Sequence, residues 1–189
     1  IDLSGNIVYD HIGEGKYEET EEVIQKLLKT ISGNANLSVE KKVNDVNLMP
    51  TKGISSEAYL GYGRIEYHVT PIKNECQDTL CQYVTASSIP ENRFSFGGKW
   101  TLDSENALGE TGSTITFNAV AKKVHLVAGS LDELSTATVE VYVDGILTKT
   151  ITIKESDLYT LVDGTEKKNQ KVMIKVISGK LLGYAYTFG

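Results

Sequence analysis

The residues best suited to chemistry are the two cysteines, in Cys76-Gln-Asp-Thr-Leu-Cys81. Four residues separate them, two more than the usual redox dithiol has. They could act as a second redox or resolving pair, or form a structural disulfide that clips a loop. Zinc is a poor reading, because it needs two more ligands and none stands at a finger-like spacing. The three histidines are His11, His68 and His125. No two have metal-ligand spacing, and each reads as structural. Asp103, Glu105 and Glu110 follow the single tryptophan. Such carboxylates can hold calcium or serve as a glycosidase pair; acids in a loop more often face solvent. No Gly-X-Ser-X-Gly or comparable signature supports a Ser/His/Asp triad. The sequence therefore assigns no catalytic residue, no metal ligand and no cofactor.

Binding is better represented than catalysis. Tyr59, Tyr62, Tyr67, Trp100, Tyr142, Tyr184 and Tyr186 are more large aromatics than a sandwich core needs. Flat rings with a polar tip suit stacking on sugars or on a protein surface. Trp100, Tyr142, Tyr59 and Tyr62 are the candidates for a ligand site. The competing reading puts Trp100, Tyr184 and Tyr186 in the core and the others over a linker.

The elements that must position these residues follow from periodicity. Ser4, Gly5 and Asn6 form a turn after Ile1-Asp-Leu3, and Ile7 to Ile12 reads as a strand. A helix is expected from about Tyr17 to Thr30, because Ile24, Leu27, Leu28 and Ile31 make one apolar stripe. Glu18, Glu19, Glu21 and Glu22 suit its first turns and Lys26 and Lys29 its end. Two strands and a helix bury too little to stand alone. The stripe should pack on the later domain, on a second copy of the chain in a homodimer, or on a missing upstream segment. Residues 34–57 read as a linker, with a short strand near Val43 to Leu48. Arg64 to Val69 reads as an edge strand, and Tyr83 to Thr85 as a short one.

From Arg93 onward, period-two alternation dominates. Ile115, Phe117 and Ala119 form one face, Val124, Leu126 and Ala128 a second, Val139, Val141 and Val143 a third. Val172, Ile174 and Val176 follow, then Leu182 to Phe188. His125, between Val124 and Leu126, faces away from the core. Asp144-Gly145 is a hairpin signal and Asp163-Gly164 a second turn. Gly97-Gly98 suits a bend where one strand ends and another begins. Short strands every ten residues or so predict a mainly β fold, an antiparallel jelly-roll sandwich, with a Greek-key barrel as the alternative.

The formal net charge of -6 excludes a general phosphate-backbone binder, which needs a concentrated basic surface. No apolar run reaches the length of a membrane span, and no signal-peptide pattern is present. The chain opens at Ile1 in what reads as mid-strand, as a processed product, a designed piece or a proteolytic remainder would.

Two parts of the chain carry a family resemblance. Ile1-Asp-Leu-Ser-Gly-Asn-Ile-Val-Tyr-Asp10, followed by His11-Ile-Gly-Glu-Gly-Lys-Tyr17 and an acidic helix start, resembles the last hairpin and helix of a thioredoxin-like domain of the TlpA/DipZ type. Ala58-Tyr-Leu-Gly-Tyr-Gly-Arg64, Gly97-Gly-Lys-Trp100 and the terminal Tyr184-Ala-Tyr-Thr-Phe-Gly189 resemble the β-rich domain that follows it in such proteins. The resemblance implies residues 1–33 as the end of a thioredoxin-like domain, 34–57 as linker, and 58–189 as a jelly roll resembling carbohydrate-binding modules. It implies a non-catalytic binding or positioning module of a periplasmic or extracytoplasmic thiol–disulfide oxidoreductase, with a protein or glycan partner and membrane attachment only through upstream parts of the parent. A structural or oligomerisation role is the alternative, and a carbohydrate-active enzyme a third. The family's Cys-X-X-Cys has no counterpart in this sequence, so no catalytic residue carries over. In an oxidising compartment Cys76 and Cys81 favour the structural disulfide.

Overall fold

A computed structural model describes residues 1–10, 17–32, 53–132 and 134–189. The chain divides into two units, Ile1–Met49 and Pro50–Gly189.

In the first unit, Asp2 organises the turn. Its Oδ1 accepts the backbone N–H groups of Ser4 and Asn6 at 2.9 and 2.8 Å, and its Oδ2 accepts the Asn6 side-chain amide at 3.1 Å. Of the strand expected over Ile7 to Ile12, the described residues Ile7 to Asp10 are not in a strand, and the rest lies outside the described residues. A two-stranded hairpin with no sheet beneath it is marginal in water. Helix α1 spans Tyr17–Ser32. On its stripe, Ile24 and Leu28 are 46% and 43% exposed in the single chain. His11, the strand expected near Val43 to Leu48 and most of the 34–57 linker lie outside the described residues.

The second unit holds nine strands among the described residues: β1 Ala58–Tyr59, β2 Leu80–Tyr83, β3 Arg93–Leu102, β4 Ala107–Gly109, β5 Thr114–Ser130, β6 Ala137–Val143, β7 Ile146–Ile153, β8 Asp157–Ser178 and β9 Leu181–Phe188. All the ladders are antiparallel, in the order β1-β9-β4-β3-β5-β8-β6-β7, with β2 on β3 and an added pairing of β9 with β5. The fold is mainly β and sandwich-like.

Long bent strands make the two layers. On β5, Ile115, Phe117, Ala119 and Ala121 are buried at odd positions, then Val124, Leu126 and Ala128 at even ones. The register slips between Ala121 and Lys123. One extra residue moves the apolar set to the other parity, as the period of two requires. What reads in the sequence as two strands is therefore one of 17 residues. Its first half pairs with β3 and its second with β9. In β8, Asp163-Gly164 is not a turn but part of a 22-residue strand. Asp163 stands opposite Lys123 and Lys168 opposite Ala121, so residues 164–167 bulge out of the ladder. Asp144 and Gly145 have φ of 50° and 82°, the left-handed pair that a two-residue hairpin needs.

β3 crosses the Gly-Gly pair without ending. Arg93 to Gly97 pair with β5, and beyond Gly98 (φ 83°) the strand pairs with β2 and β4. Phe94, Phe96, Phe117, Trp100 and Tyr186 are fully buried around this bend. Phe94 stacks on Phe117 at 5.9 Å, and Phe96 lies 5.0 Å from Trp100. The Trp100 Nε1–H donates to the Gly97 carbonyl at 2.9 Å.

Candidate functional site

The edge strand expected over Arg64 to Val69 does not form. The segment crosses the sandwich as an irregular strap, tied at two places. At one end, Leu60 N–H donates to Tyr184 O at 2.9 Å, Tyr62 N–H to Asp103 O at 2.8 Å and Gly63 N–H to Ser104 O at 3.0 Å. At the other, Val69 N–H donates to Phe94 O at 2.9 Å and Phe94 N–H to Tyr67 O at 3.0 Å. A Pro at 71 and small turn residues deny it a regular ladder. Beside the strap lies an open cleft of about 390 Å³, lined among others by Tyr62, Ile65, Glu66, His68, Ile72 and Gln77.

His68 holds the floor. Its Nε2 accepts the Phe96 N–H at 3.3 Å, and its Nδ1 faces the Thr70 carbonyl. Nδ1–H donating while Nε2 accepts is the neutral imidazole, with both nitrogens used. Its ring packs on Phe94 and Phe96 at 5.3 and 5.2 Å. Burial pushes its pKa down, against the opposing effect of the Thr70 carbonyl. His125 is also pushed down, by burial and then by Lys123. The ordinary histidine value is 6.5. As pH falls through that value the unfolded chain takes up protons that the native state refuses, so stability is complete above it and is lost below it. Thermal melts from pH 7.5 down to pH ~5 should show falling stability as these two histidines are forced to charge. His68→Gln should reduce that slope, and a slope unchanged in His68→Gln would refute the assignment.

The second wall is the cysteine loop. Cys76 and Cys81 are bonded to each other. Cys76 closes a single 3₁₀ turn, Asn74–Cys76; Cys81 stands on β2, directly across the ladder from Trp100. Inside the ring, Gln77 bridges to Leu102, and Asp78 (φ 54°) donates its N–H to Leu102 O at 2.8 Å. The Asp78 carboxylate accepts the Tyr62 hydroxyl at 2.9 Å and pushes that phenol above its usual value. The two walls are thereby joined. With a sequence separation of 5, the bond removes little chain entropy and contributes about 2 kcal/mol.

The aromatic candidates are not brought together. Trp100 is 0% exposed and belongs to the core, which corrects its place among the ligand-stacking residues. The Gly-Gly bend turns its ring inward, over Gly109 directly opposite. Tyr59 is half-buried, with the Arg64 guanidinium 3.5 Å above its ring and its hydroxyl donated to Glu57 at 2.7 Å. Tyr142 lies half-buried on the outer face of β6, donating to Glu140 at 2.6 Å. Only Tyr62 is at the cleft. The acids after Trp100 are engaged locally: Asp103 Oδ1 accepts the amides of Glu105 and Asn106 at 2.7 Å each, and Glu110 pairs with Lys180 at 2.9 Å. Ile72, Gln77 and Asp78 had no periodic signal, and the alternation that includes Ile65 and Glu66 pointed to an edge strand instead. Pro71 and the close-set cysteines were the only hints that this stretch is held in a special shape.

The fold and this site define a β-sandwich domain with a disulfide-clipped surface cleft. Residues 55–189 match the family described as Thioredoxin like C-terminal domain, and the chain belongs to it. It is 26% identical over 136 residues to Protein DipZ of Mycobacterium bovis and, equally, of Mycobacterium tuberculosis; the match covers 71% of this chain and 19% of each relative. The chain thus spans about a fifth of the length of the curated relatives it matches. Among solved structures, a family two carbohydrate esterase from Clostridium thermocellum in complex with cellohexaose gives a TM-score of 0.41 at 14% identity, over 45% of this chain and 27% of that one. A CBM36 carbohydrate-binding module in complex with calcium and xylotriose gives 0.36 at 12% identity, over 44% and 79%. No ligand is assigned to this chain from either. Among the described residues, no helix is long and apolar enough to cross a membrane.

Proposed function

We propose that the sandwich is a non-catalytic recognition module of an extracytoplasmic, thioredoxin-family thiol–disulfide oxidoreductase, and that it holds a polypeptide partner through the cleft beside the cysteine loop. The single observation behind this reading is that cleft: an open concavity whose lining mixes the apolar Ile65, Val69, Pro71 and Ile72 with the polar Tyr62, Glu66, His68, Thr70 and Gln77. A lining of both kinds suits a polypeptide, which offers apolar side chains and backbone hydrogen-bonding groups together. Sugar stacking wants exposed rings side by side, and Trp100 is in the core while Tyr59 is capped by Arg64. The glycan reading is the weaker for it.

The test is fluorescence anisotropy with a labelled, reduced and alkylated unfolded protein as probe. Wild-type chain should bind it, and Ile72→Asp should weaken binding at least tenfold, about 1.4 kcal/mol, with the melting temperature held. Binding unaffected by Ile72→Asp, or a glycan array bound in its place, would count against the polypeptide reading. A second reading, self-association through α1, is favoured by the 46% exposure of Ile24 on the helix stripe. Sedimentation of the chain and of Ile24→Glu distinguishes the two.

A further inference from the structure

We infer that the Cys76–Cys81 disulfide is an exchange site for the dithiol of a partner protein, and that its reduction loosens the wall of the adjoining cleft. The second half rests on the recognition reading of the cleft; the first does not.

Three observations meet at this loop. It is accessible: both cysteines are only half-buried, and Asn74, Glu75, Asp78, Thr79 and Leu80 around them are exposed. β2, which carries Cys81, pairs with β3 alone among the described strands, so one side of the sulfur-bearing strand is an open sheet edge. The fold does not depend on the bond: it spans a sequence separation of 5, while the core rests on Phe94, Phe96, Trp100, Phe117 and Tyr186, all fully buried. The cleft does depend on it. Gln77, inside the ring, lines the cleft, and Asp78, inside the ring at φ 54°, holds the Tyr62 hydroxyl. A bond that contributes little to the fold and shapes one wall of a cleft is placed to alter that cleft alone.

The chemistry balances as a two-electron exchange. A partner thiolate attacks one sulfur and forms a mixed disulfide, and the other sulfur leaves as a thiolate and takes a proton. The partner's second thiol, losing its proton, attacks the mixed disulfide. Cys76 and Cys81 end as two thiols and the partner dithiol ends as a disulfide. Glu75 and Asp78 beside the pair disfavour a thiolate there, so the reduced pair is held as thiols and attacks other disulfides poorly. Without the ring, Asp78 can leave its left-handed conformation, and the Tyr62 hydroxyl loses its fixed acceptor.

The experiment uses the full chain with a catalytic amount of a bacterial thioredoxin, its reductase and NADPH. The expected result is one equivalent of NADPH oxidised per chain below the melting temperature, with both thiols then trapped by alkylation. In the reduced chain, amide hydrogen exchange at Tyr62, Gly63 and Asp78 should accelerate at least tenfold, while Phe117 in β5 stays protected. The double variant Cys76→Ser/Cys81→Ser should show the same exchange pattern without reductant and consume no NADPH. No NADPH consumption by the folded chain overturns the exchange site. Unchanged exchange at Tyr62 and Asp78 overturns the coupling to the cleft, and a double variant that cannot fold overturns the claim that the fold does not need the bond. Neither readout uses a ligand, so failure of the recognition reading is seen separately.

Discussion

Trp100→Ala destabilises the sandwich by about 3–5 kcal/mol, enough to unfold a domain of ordinary stability. The ring is fully buried, touches Phe96 across 5.0 Å and donates its only N–H to Gly97 O. Truncation leaves a cavity that the aromatic cluster cannot fill and a carbonyl without its donor. The partner position sharpens the test. A Cβ on Gly109 would stand 2.6 Å from the Trp100 ring, so Gly109→Ala overpacks the site and costs about 1–3 kcal/mol. In the Trp100→Ala background that penalty should vanish, because the ring is gone. Urea titrations of the four chains measure the cycle. Additive penalties would place the Trp100 ring elsewhere, and a Trp100→Ala chain of wild-type stability would return it to the ligand-facing residues.

Tyr186→Phe runs the other way and should stabilise the domain by about 1–2 kcal/mol. Tyr186 is 0% exposed between Phe117 and Phe188, and its hydroxyl has no partner among the described residues. Burial pushes its phenol far above the usual range. A buried hydroxyl that gave up water and gained no acceptor costs more than the same ring without it. A rise in the urea midpoint at constant slope is the expected outcome. A fall would mean that the hydroxyl has a partner that the packing conceals.

Alternation made much of the sandwich legible. Val139 and Val141 on β6, and Val172, Ile174 and Val176 on β8, are buried as their spacing requires. Alternation could not tell two strands from one bulged strand. Val124 follows Ala121 at the wrong parity, which a turn explains as well as a bulge does; only the ladder to β8 decides. The same ambiguity made Asp163-Gly164 a turn. Trp100 illustrates a different limit. Its type fits a core and a binding face equally, and the deciding fact is the bend at Gly98, which depends on partners in β2 and β4 outside its own strand. The cleft was the least legible part. The residues of its strap satisfy their backbone through Asp103, Ser104, Tyr184 and Phe94, contacts with no local pattern. Tyr62, Pro71 and the cysteine spacing pointed at this neighbourhood, and the spacing left open whether the pair was structural or reactive.

The place of β9 has a consequence for how the molecule is made. Leu181–Phe188 pairs with β1, β4 and β5 at once, so the last strand of the described sandwich is the one that ties β1 and β4 to the second half of β5. Until it emerges from the ribosome, Leu126 and Ala107 have no neighbour on that side, and the long loop closure that brings Ala58 opposite Tyr186 must wait. Synthesis from the N-terminus therefore leaves the β9-facing sides of β1, β4 and the second half of β5 as unpaired edges until Leu181–Phe188 is made, although β3, β5, β6, β7 and β8 can already pair among themselves. A chain stalled short of Leu181 should be an aggregating species rather than a smaller folded one, and the sandwich should close only after that strand has arrived.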